Sequence, residues 1–262
     1  MKLILILPCL LLSTFISSAK QSDTIYVKPE NLQMNSLRTG DYSYIVFNKK
    51  TKDSPARRIV LIRFNVEKKL YHDKPAIFIT QQWDLDTVVH SSSSVFDAKT
   101  FATIVHDTYW QRLGYSMKFD FDEKKVEFKN TTPNNGVPDS VRTKSIADFN
   151  DSFNKYNLNW HEDLIVYTLL PYNDKRTFMI NYYDPGFSKA EEVAYTVTGS
   201  ALLTGGNGEK IECWVLNYID KAYPGSYERF WISKKTKEVL KEEDFFNHTY
   251  RYKLKIGVSS DK

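Results

Sequence analysis

The stretch that decides the fold reads YSMKFDFD, from Tyr115 to Asp122, and alternates large apolar side chains with polar ones. Such period-2 alternation is typical of a β-strand with one buried and one solvated face. Near the other end of the chain, Tyr250–Ile256 reads YRYKLKI and repeats the pattern. We expect the apolar side chains of both stretches to face the core, and we predict a mostly β protein.

Further strands are predicted at roughly regular intervals along the chain. They span Tyr42–Phe47, Arg58–Val66, Ala76–Trp83, Val88–Phe96, Thr103–Trp110, Val126–Lys129, Thr177–Tyr183, Val193–Thr198, Ile211–Ile219, Tyr227–Ser233 and Val239–Glu243. About a dozen short strands joined by short polar turns indicate an antiparallel sheet. We therefore predict a strongly curved antiparallel sheet or an incomplete β-barrel, forming a single β domain over residues 20–262.

One region interrupts the strand pattern. Ser145–Asn157 and His161–Leu170 have helix-compatible patterning, and Pro171 ends the second run. Glu162 and Asp163 fall in its first turn, where negative charge is favourable. The result is a short helical insertion near residues 145–171, which is either a connection packed on the sheet or a lid over a cavity.

Residues 1–19 are predicted to be a cleaved secretory signal peptide. Lys2 gives a positive start, a 14-residue apolar stretch follows from Leu3 to Ile16, and Ser17-Ser18-Ala19 supplies small residues for cleavage. The stretch is short for a membrane span of about 20 residues. Cys9 would leave with this segment, so Cys213 alone cannot form an intramolecular disulfide, and we expect it to be a buried thiol.

Composition excludes two classes of protein. The 262 residues include 17 Tyr, 16 Phe and 5 Trp, enough aromatic material for a large core, so global disorder is excluded. A formal net charge of +4 spread over 36 basic and 32 acidic residues is not the pattern of a nucleic-acid-binding protein.

Signatures of catalysis are weak. No Gly-x-Ser-x-Gly motif is present, and His161-Glu162 begins like a zinc-protease helix but has Ile165 where the second histidine is required. We predict no catalytic residues, no metal ligands, no cofactor and no enzymatic activity. A hydrolase using Asp84, Asp86 or His106 is kept as a minor alternative.

Aromatic residues provide the positive signal for ligand binding. A wide, curved sheet can enclose an apolar cavity, although a filled core would use the same residue types. The residues predicted to contact a lipid or another hydrophobic ligand are Trp83, Trp110, Trp160, Tyr167, Trp214 and Trp231.

The two halves of the chain share a short pattern. Val95–Thr100 and Trp231–Thr236 each place a strand before a turn that ends in Lys-Thr or Lys-Lys-Thr, and a second strand follows. Similar meanders suit a curved sheet. The pattern leaves open whether the halves arose by duplication or are hairpins that look alike by chance.

Three segments resemble a family of exported bacterial proteins known as domain of unknown function 3108, over roughly Leu37 to Val258. Asp163–Leu170 is similar to the family's mid-chain helix, Gly208–Val215 to its glycine turn and cysteine-bearing strand, and Phe230–Ser233 to its late aromatic strand. The chain departs from the pattern at Pro171-Tyr172, where the helix would continue. The resemblance implies a fold similar to periplasmic lipoprotein carriers and a periplasmic or outer-membrane-associated location in a Gram-negative bacterium.

Together these features predict an exported, non-enzymatic cell-envelope protein that binds a lipid or other hydrophobic molecule in the concavity of its sheet. The alternative is a structural or assembly protein that presents a sheet edge to an envelope protein partner. Neither prediction involves nucleic acid or a transmembrane span after signal cleavage.

Overall fold

A computed structural model describes residues 23–131, 136–220 and 223–257. The predicted signal peptide lies outside the described residues. The strands are β1 (Thr24–Tyr26), β2 (Gly40–Lys49), β3 (Arg57–Tyr71), β4 (Lys74–Asp84), β5 (Val88–Asp97), β6 (Thr103–Trp110), β7 (Tyr115–Asp120), β8 (Lys125–Asn130), β9 (Leu158–Asn159), β10 (Thr177–Tyr183), β11 (Glu191–Thr204), β12 (Lys210–Ile219), β13 (Tyr227–Ser233), β14 (Val239–Phe246) and β15 (Thr249–Ile256). The α-helices are α1 (Asp139–Ser152) and α2 (Asp163–Val166), with short 3₁₀ turns at Pro29–Asn31, Met34–Ser36, Trp160–Glu162 and Tyr167–Leu169.

All the described strands belong to one sheet. Its order is β1-β10-β11-β12-β13-β14-β15-β2-β3-β4-β5-β6-β7-β8, with β9 also pairing β10. Two antiparallel meanders, β2–β8 and β10–β15, are thus joined side by side, and β1 and β8 at the ends of the order do not pair. The predicted fold class, a curved antiparallel sheet that forms an incomplete barrel, is confirmed.

The join between the meanders is the pairing of β15 with β2. Its register runs from Tyr250 opposite Lys49 to Ile256 opposite Ser43. The Tyr44 hydroxyl crosses this seam and donates a 3.0 Å hydrogen bond to the carbonyl oxygen of Val239. The seam makes the sheet continuous through both halves.

The concave face is covered by residues 158–170, here called the plug segment. It contains β9, α2 and the two 3₁₀ turns around α2. Leu164, Val166 and Tyr167 are buried in the main hydrophobic core, which the inner side chains of both meanders complete. Of the two alternatives for the insertion, packing on the sheet therefore describes this structure.

Helix α1 fills the gap between the unpaired ends of the sheet. Phe149 packs with Met117 and Phe119 of β7 and with Tyr183 of β10 in a second, smaller core. Gly186 packs directly against this core and has a φ of +86°. A Cβ at this position would lie 2.5 Å from the Met117 Cε. The gap is thus closed by side chains rather than by strand pairing.

The helix boundaries differ from the prediction. Helix α1 begins at Asp139, directly after Pro138, and ends at Ser152 instead of Asn157. The Asn157 amide donates to the Ser152 carbonyl oxygen, and this side-chain bond takes over an acceptor that a longer helix would have used. The run from His161 to Leu170 forms α2 and two 3₁₀ turns rather than one helix.

The predicted strands agree well with the observed ones, but the prediction for β15 assigns the wrong face to the core. In β7, Tyr115, Met117 and Phe119 are buried as expected. In β15 the faces are reversed: Lys253 is buried on the inner face, whereas Leu254 and Ile256 are exposed on the outer face, where Tyr252 is covered by stacking on Phe47. The inner face of this part of the sheet is built from ion pairs, so the basic side chains of β15 point inward.

Two turns in the two halves have the same hydrogen-bond pattern. The Asp97 carboxylate accepts from the Thr100 amide, and the Ser233 hydroxyl accepts from the Thr236 amide. In each turn, a backbone amide also donates to the carbonyl oxygen of the residue four positions earlier, from Phe101 to Asp97 and from Lys237 to Ser233. Phe101 and Lys237 both have positive φ. Cys213, beside the second turn, is buried as expected, and burial raises the pKa of its thiol to about 11.

We expect Leu254→Pro to lower the free energy of unfolding by about 3 kcal/mol or more, because proline removes a backbone donor from a strand paired on both sides. Leu202→Pro is the matched control. Leu202 lies in the end of β11 that extends past β10, and its amide points away from β12 because Gly205 and Glu209 form a hydrogen-bonded pair. Its cost should stay below about 1 kcal/mol in urea unfolding monitored by circular dichroism. Equal losses of unfolding free energy in the two variants would contradict the pairing of β15 with β2.

Candidate functional site

Three histidines distant in sequence meet on the inner face of the first meander. His90 lies on β5, His106 on β6 and His161 in the plug segment. The His90 Nε2 is 2.8 Å from the His161 Nε2, and the His106 ring centroid is 5.3 Å from that of His161. Strand register places His106 directly opposite Ser94. This histidine cluster was missed by the sequence analysis, although the inward positions of His90 and His106 on adjacent strands were a usable signal.

Hydrogen bonds define the tautomers of this cluster. The His90 Nδ1 lies 2.7 Å from the Tyr109 carbonyl oxygen and must donate to it. The His90 Nε2 of a neutral ring then accepts, so the His161 Nε2 donates. The His106 Nδ1 accepts from the Asn159 amide at 3.2 Å. Burial lowers the pKa of His90 to about 4 and that of His106 to about 3, and it holds the His161 pKa well below its usual range.

Glu162 connects the plug segment to the same part of the sheet. Its carboxyl oxygens lie 2.8 Å from the Gln81 Nε2 and 2.9 Å from the Ser94 Oγ. Burial raises the pKa of Glu162 to about 8, so the group is a neutral acid at pH 7. The expected benefit of negative charge at the start of the helix is therefore absent at this residue.

The neutral acid can donate to Ser94, and Ser94 can donate to the His106 Nδ1, 2.9 Å away. Such a chain can pass a proton. However, Ser94 and His106 both have 0% exposure, so neither reaches a substrate. The described residues also contain no group of three or more His, Cys, Asp or Glu arranged to hold a metal ion. The cluster ties the plug segment to the sheet.

The residues of the hydrolase alternative are not brought together. The Asp84 carboxylate binds the Arg63 guanidinium at 2.5 Å, on the outer face of the sheet. His106 points to the inner face, and Asp86 follows the end of β4. No hydrogen bond between His106 and either aspartate occurs in the described parts of the chain.

The six aromatic residues predicted to bind a ligand lie in separate places. The Trp83 and Trp110 rings are 5.6 Å apart beside His90, and Trp160 stacks on Tyr182 at 5.4 Å. Further contacts involve Tyr167 with Tyr182, Trp214 with Tyr172 and Lys234, and Trp231 with Lys241. Their role in binding stays a prediction.

Ion pairs line the inner face of the second meander. The Arg251 guanidinium binds Asp244 at 2.5 Å and Glu242 at 3.2 Å. The Lys253 ammonium binds Glu242 at 2.6 Å and lies 3.8 Å from Asp163 of the plug segment. The run of charged residues Lys241–Glu243 within the predicted strand Val239–Glu243 was the sequence signal for this polar interior.

Beside these ion pairs, the concave face opens into a cavity of about 260 Å³, here called the mouth cavity. Its lining residues are Tyr218, Asp220, Ser226, Tyr227, Glu228, Asp244, Phe245, Phe246, Thr249 and Arg251. Burial raises the pKa of Glu228 and that of Asp244 to about 7. Aromatic walls and a charged floor are the usual composition of a small-molecule site.

Other cavities differ in chemistry. One of about 470 Å³ lies over polar side chains of β3–β6, among them Asn65, Thr80, Ser93 and Asp107. Another of about 200 Å³ lies between Phe121, Phe153 and Pro185. No histidine lines the mouth cavity or either of these two cavities. Within the described ranges, no helix is long and apolar enough to cross a membrane.

The fold and the polar interior define a class: mostly β proteins with a curved, incomplete barrel. Within that class, the chain belongs to DUF3108, a family of proteins of unknown function, whose model matches residues 56–255. The resemblance predicted from the sequence is thereby confirmed. No curated protein matches the chain.

Several solved structures are similar over most of the chain. A β-barrel-like DUF1849 protein from Brucella abortus has 8% identity and a TM-score of 0.39, with 84% of this chain and 96% of that chain covered. A protein with a YmcC-like fold from Bacteroides fragilis has 9% identity and a TM-score of 0.35, covering 83% and 94%. An outer membrane lipoprotein-sorting domain from Vibrio parahaemolyticus has 10% identity and a TM-score of 0.23, covering 82% and 83%.

We expect Glu162→Gln to change how stability depends on pH. Because the pKa of Glu162 is raised by folding, its contribution is complete below about pH 4.5 and is lost as pH rises towards about 8, with a slope of at most about 1.4 kcal/mol per pH unit. Glutamine does not titrate and can replace the hydrogen bonds of the neutral acid. Urea unfolding at pH 5 to 8 should show that the free energy of unfolding of the variant increases relative to that of the wild type as pH rises.

All other titrating groups, including the three histidines, are present in both proteins and cancel in this difference. A difference in unfolding free energy between the wild type and Glu162→Gln that stays constant with pH would contradict the neutral state of Glu162.

Proposed function

We propose that the protein is an exported, non-enzymatic binding protein of the cell envelope, periplasmic or associated with the outer membrane, and that residues 20–262 form one domain. Its ligand is a small lipid or another amphiphile held in the mouth cavity. The N-terminal apolar segment supports export. The cavity itself is the observation that carries binding: aromatic rings of Tyr218 and Phe246 stand beside a polar floor.

The position of the cavity supports this assignment. The centre of the concave face is occupied by the plug segment, so a ligand has no space there while the segment is in place. The mouth cavity lies on the same face, at the ends of β12–β15, where the plug segment does not line it. Its volume of about 260 Å³ is slightly below the usual range for small-molecule sites and suits a head group with a short apolar segment.

Burial of the polar cluster supports a non-enzymatic role. Ser94 and His106 form the hydrogen-bonded pair in the interior that most resembles a nucleophile and its base, yet both are fully covered. Catalysis by such a pair requires contact with the reacting group.

We expect the neutral apolar probe N-phenyl-1-naphthylamine to bind with a rise in fluorescence, and Phe246→Ser to weaken it about tenfold by removing apolar wall area. Phe246 is 52% exposed, so the change should leave the fold intact. Leu70→Ser, at an exposed site on β3, is the control and should bind as the wild type does. A protein that binds no probe, or a Phe246→Ser variant with unchanged affinity, would refute the site.

A second candidate function is presentation of a sheet edge to an envelope protein. Past the end of β10, residues 198–204 of β11 read TGSALLT and pair only with β12. Edges usually carry charges that block added strands. Two other edges do so: β8 carries Lys125, Glu127 and Lys129, and the end of β3 carries Glu67, Lys68 and Lys69. The uncharged end of β11 can therefore accept an extended strand from a partner.

Photo-crosslinking in growing cells tests this edge. We expect a benzophenone side chain at position 202 to give a discrete protein adduct, and the same group at position 70 to give none. Leu202 and Leu70 are matched in exposure, at 65% and 66%, but Leu70 lies on the charged edge. Ser200→Lys should abolish the adduct by charging the edge. Equal adducts from both positions, or none, would reject the candidate.

A further inference from the structure

We propose that the mouth cavity recognises a cationic head group, such as an ammonium, through the carboxylate of Glu228. The inference rests on the proposed function and names the chemical class of its ligand. It follows from a balance of charge in the interior of the second meander.

Six charged side chains meet on this inner face. Four are carboxyl groups and two are cations, and the members are Asp163, Glu228, Glu242, Asp244, Arg251 and Lys253. Buried carboxylates without compensating charge are costly, so the excess of acid has to be neutralised by protons or by another cation.

One proton accounts for part of the excess. Glu242 and Asp244 lie two residues apart on β14 with their side chains on the same face, and burial together with the neighbouring Glu242 charge raises the pKa of Asp244 to about 7. The Asp244 Oδ1 accepts no hydrogen bond from a protein donor. With that proton on Asp244, the two remaining negative charges, on Asp163 and Glu242, balance Arg251 and Lys253.

Glu228 is left without an ion-pair partner among the described residues. Its Oε2 accepts a 2.7 Å hydrogen bond from the Tyr195 hydroxyl, which is neutral. Within the described part of the chain no lysine or arginine forms an ion pair with it. Arg251 also lines the cavity, but its guanidinium is held by Asp244 and Glu242. A carboxylate without an ion-pair partner therefore lies in the wall of the mouth cavity.

The surroundings of Glu228 suit an organic cation. Tyr218 lies directly opposite Glu228 on the neighbouring strand, and Phe246 completes the wall. Aromatic rings attract alkylammonium groups through their π faces and also contact the methylene chain that such groups carry. Burial and the neighbouring Asp244 carboxyl raise the pKa of Glu228 to about 7, so a cation bound in the cavity would stabilise its charged form.

A series of decyl amphiphiles that differ only in the head group tests the inference. Decyltrimethylammonium, decyl maltoside and decyl sulfate would each compete with N-phenyl-1-naphthylamine below their micelle concentrations. We expect the ammonium to displace the probe at a concentration about tenfold lower than the maltoside, with the sulfate weakest.

Glu228→Gln should remove the advantage of the ammonium over the maltoside. Glu212→Gln is the matched control, because Glu212 lies on neighbouring β12 but pairs with Lys234 and does not line the cavity. It should keep the preference.

Equal displacement by ammonium and maltoside in the wild type, or a preference that persists in Glu228→Gln, would overturn the inference and leave the proposed function intact. Failure of every amphiphile and of the probe would overturn both. The wild-type series decides the question even if Glu228→Gln does not fold.

Discussion

Two adjacent carboxyl groups hold the plug segment to the two halves of the sheet. Glu162 binds Gln81 and Ser94 of the first meander, and Asp163 lies 3.8 Å from Lys253 of the second. An open, curved sheet has to bury its concave face against another element, and in the described part of the chain the plug segment covers the centre of that face. Because its contacts with the sheet are partly polar, it fixes one position rather than merely covering apolar surface. Displacing it would leave buried donors and acceptors unpaired on both halves at once, which is why the remaining core depends on this pair.

The two halves meet the plug segment with different chemistry. The first meander offers neutral groups, namely histidines, Gln81 and Ser94, whereas the second offers ion pairs around Arg251 and Lys253. Neutral groups pack closely, and the cover over the first half is complete at Ser94 and His106. Charged groups keep more of their stabilisation when they remain close to water. The mouth cavity lies beside the charged groups, so its position follows from the same division of the interior.

Much of the backbone could be predicted from the sequence, because alternation and turn residues are local signals. The bounds of β10 agree at both ends with the predicted strand, and the open, barrel-like sheet was expected. Alternation, however, defines two faces without saying which one is buried, and in β15 the basic face is inside because acids on β14 lie opposite. The histidine cluster and Glu228 depend on register between strands far apart in sequence, which local patterns do not contain. Aromatic content indicated a core, but it did not distinguish the walls of a cavity from the rings that fill the interior.

The seam between β15 and β2 has a consequence for the order in which the molecule can form. The hydrogen bond from Tyr44 to Val239 spans 195 residues, and β2 has no partner on that side until β15 is present. Contacts so distant along the chain carry a large loop-closure entropy and slow the folding of β proteins. Until the final strand arrives, β2 exposes an unpaired edge with the apolar residues Tyr44 and Val46 beside it. When the chain emerges N-terminus first, the pairing of β15 with β2 can form only at the end. The chain would therefore benefit from being kept unfolded until β15 is available.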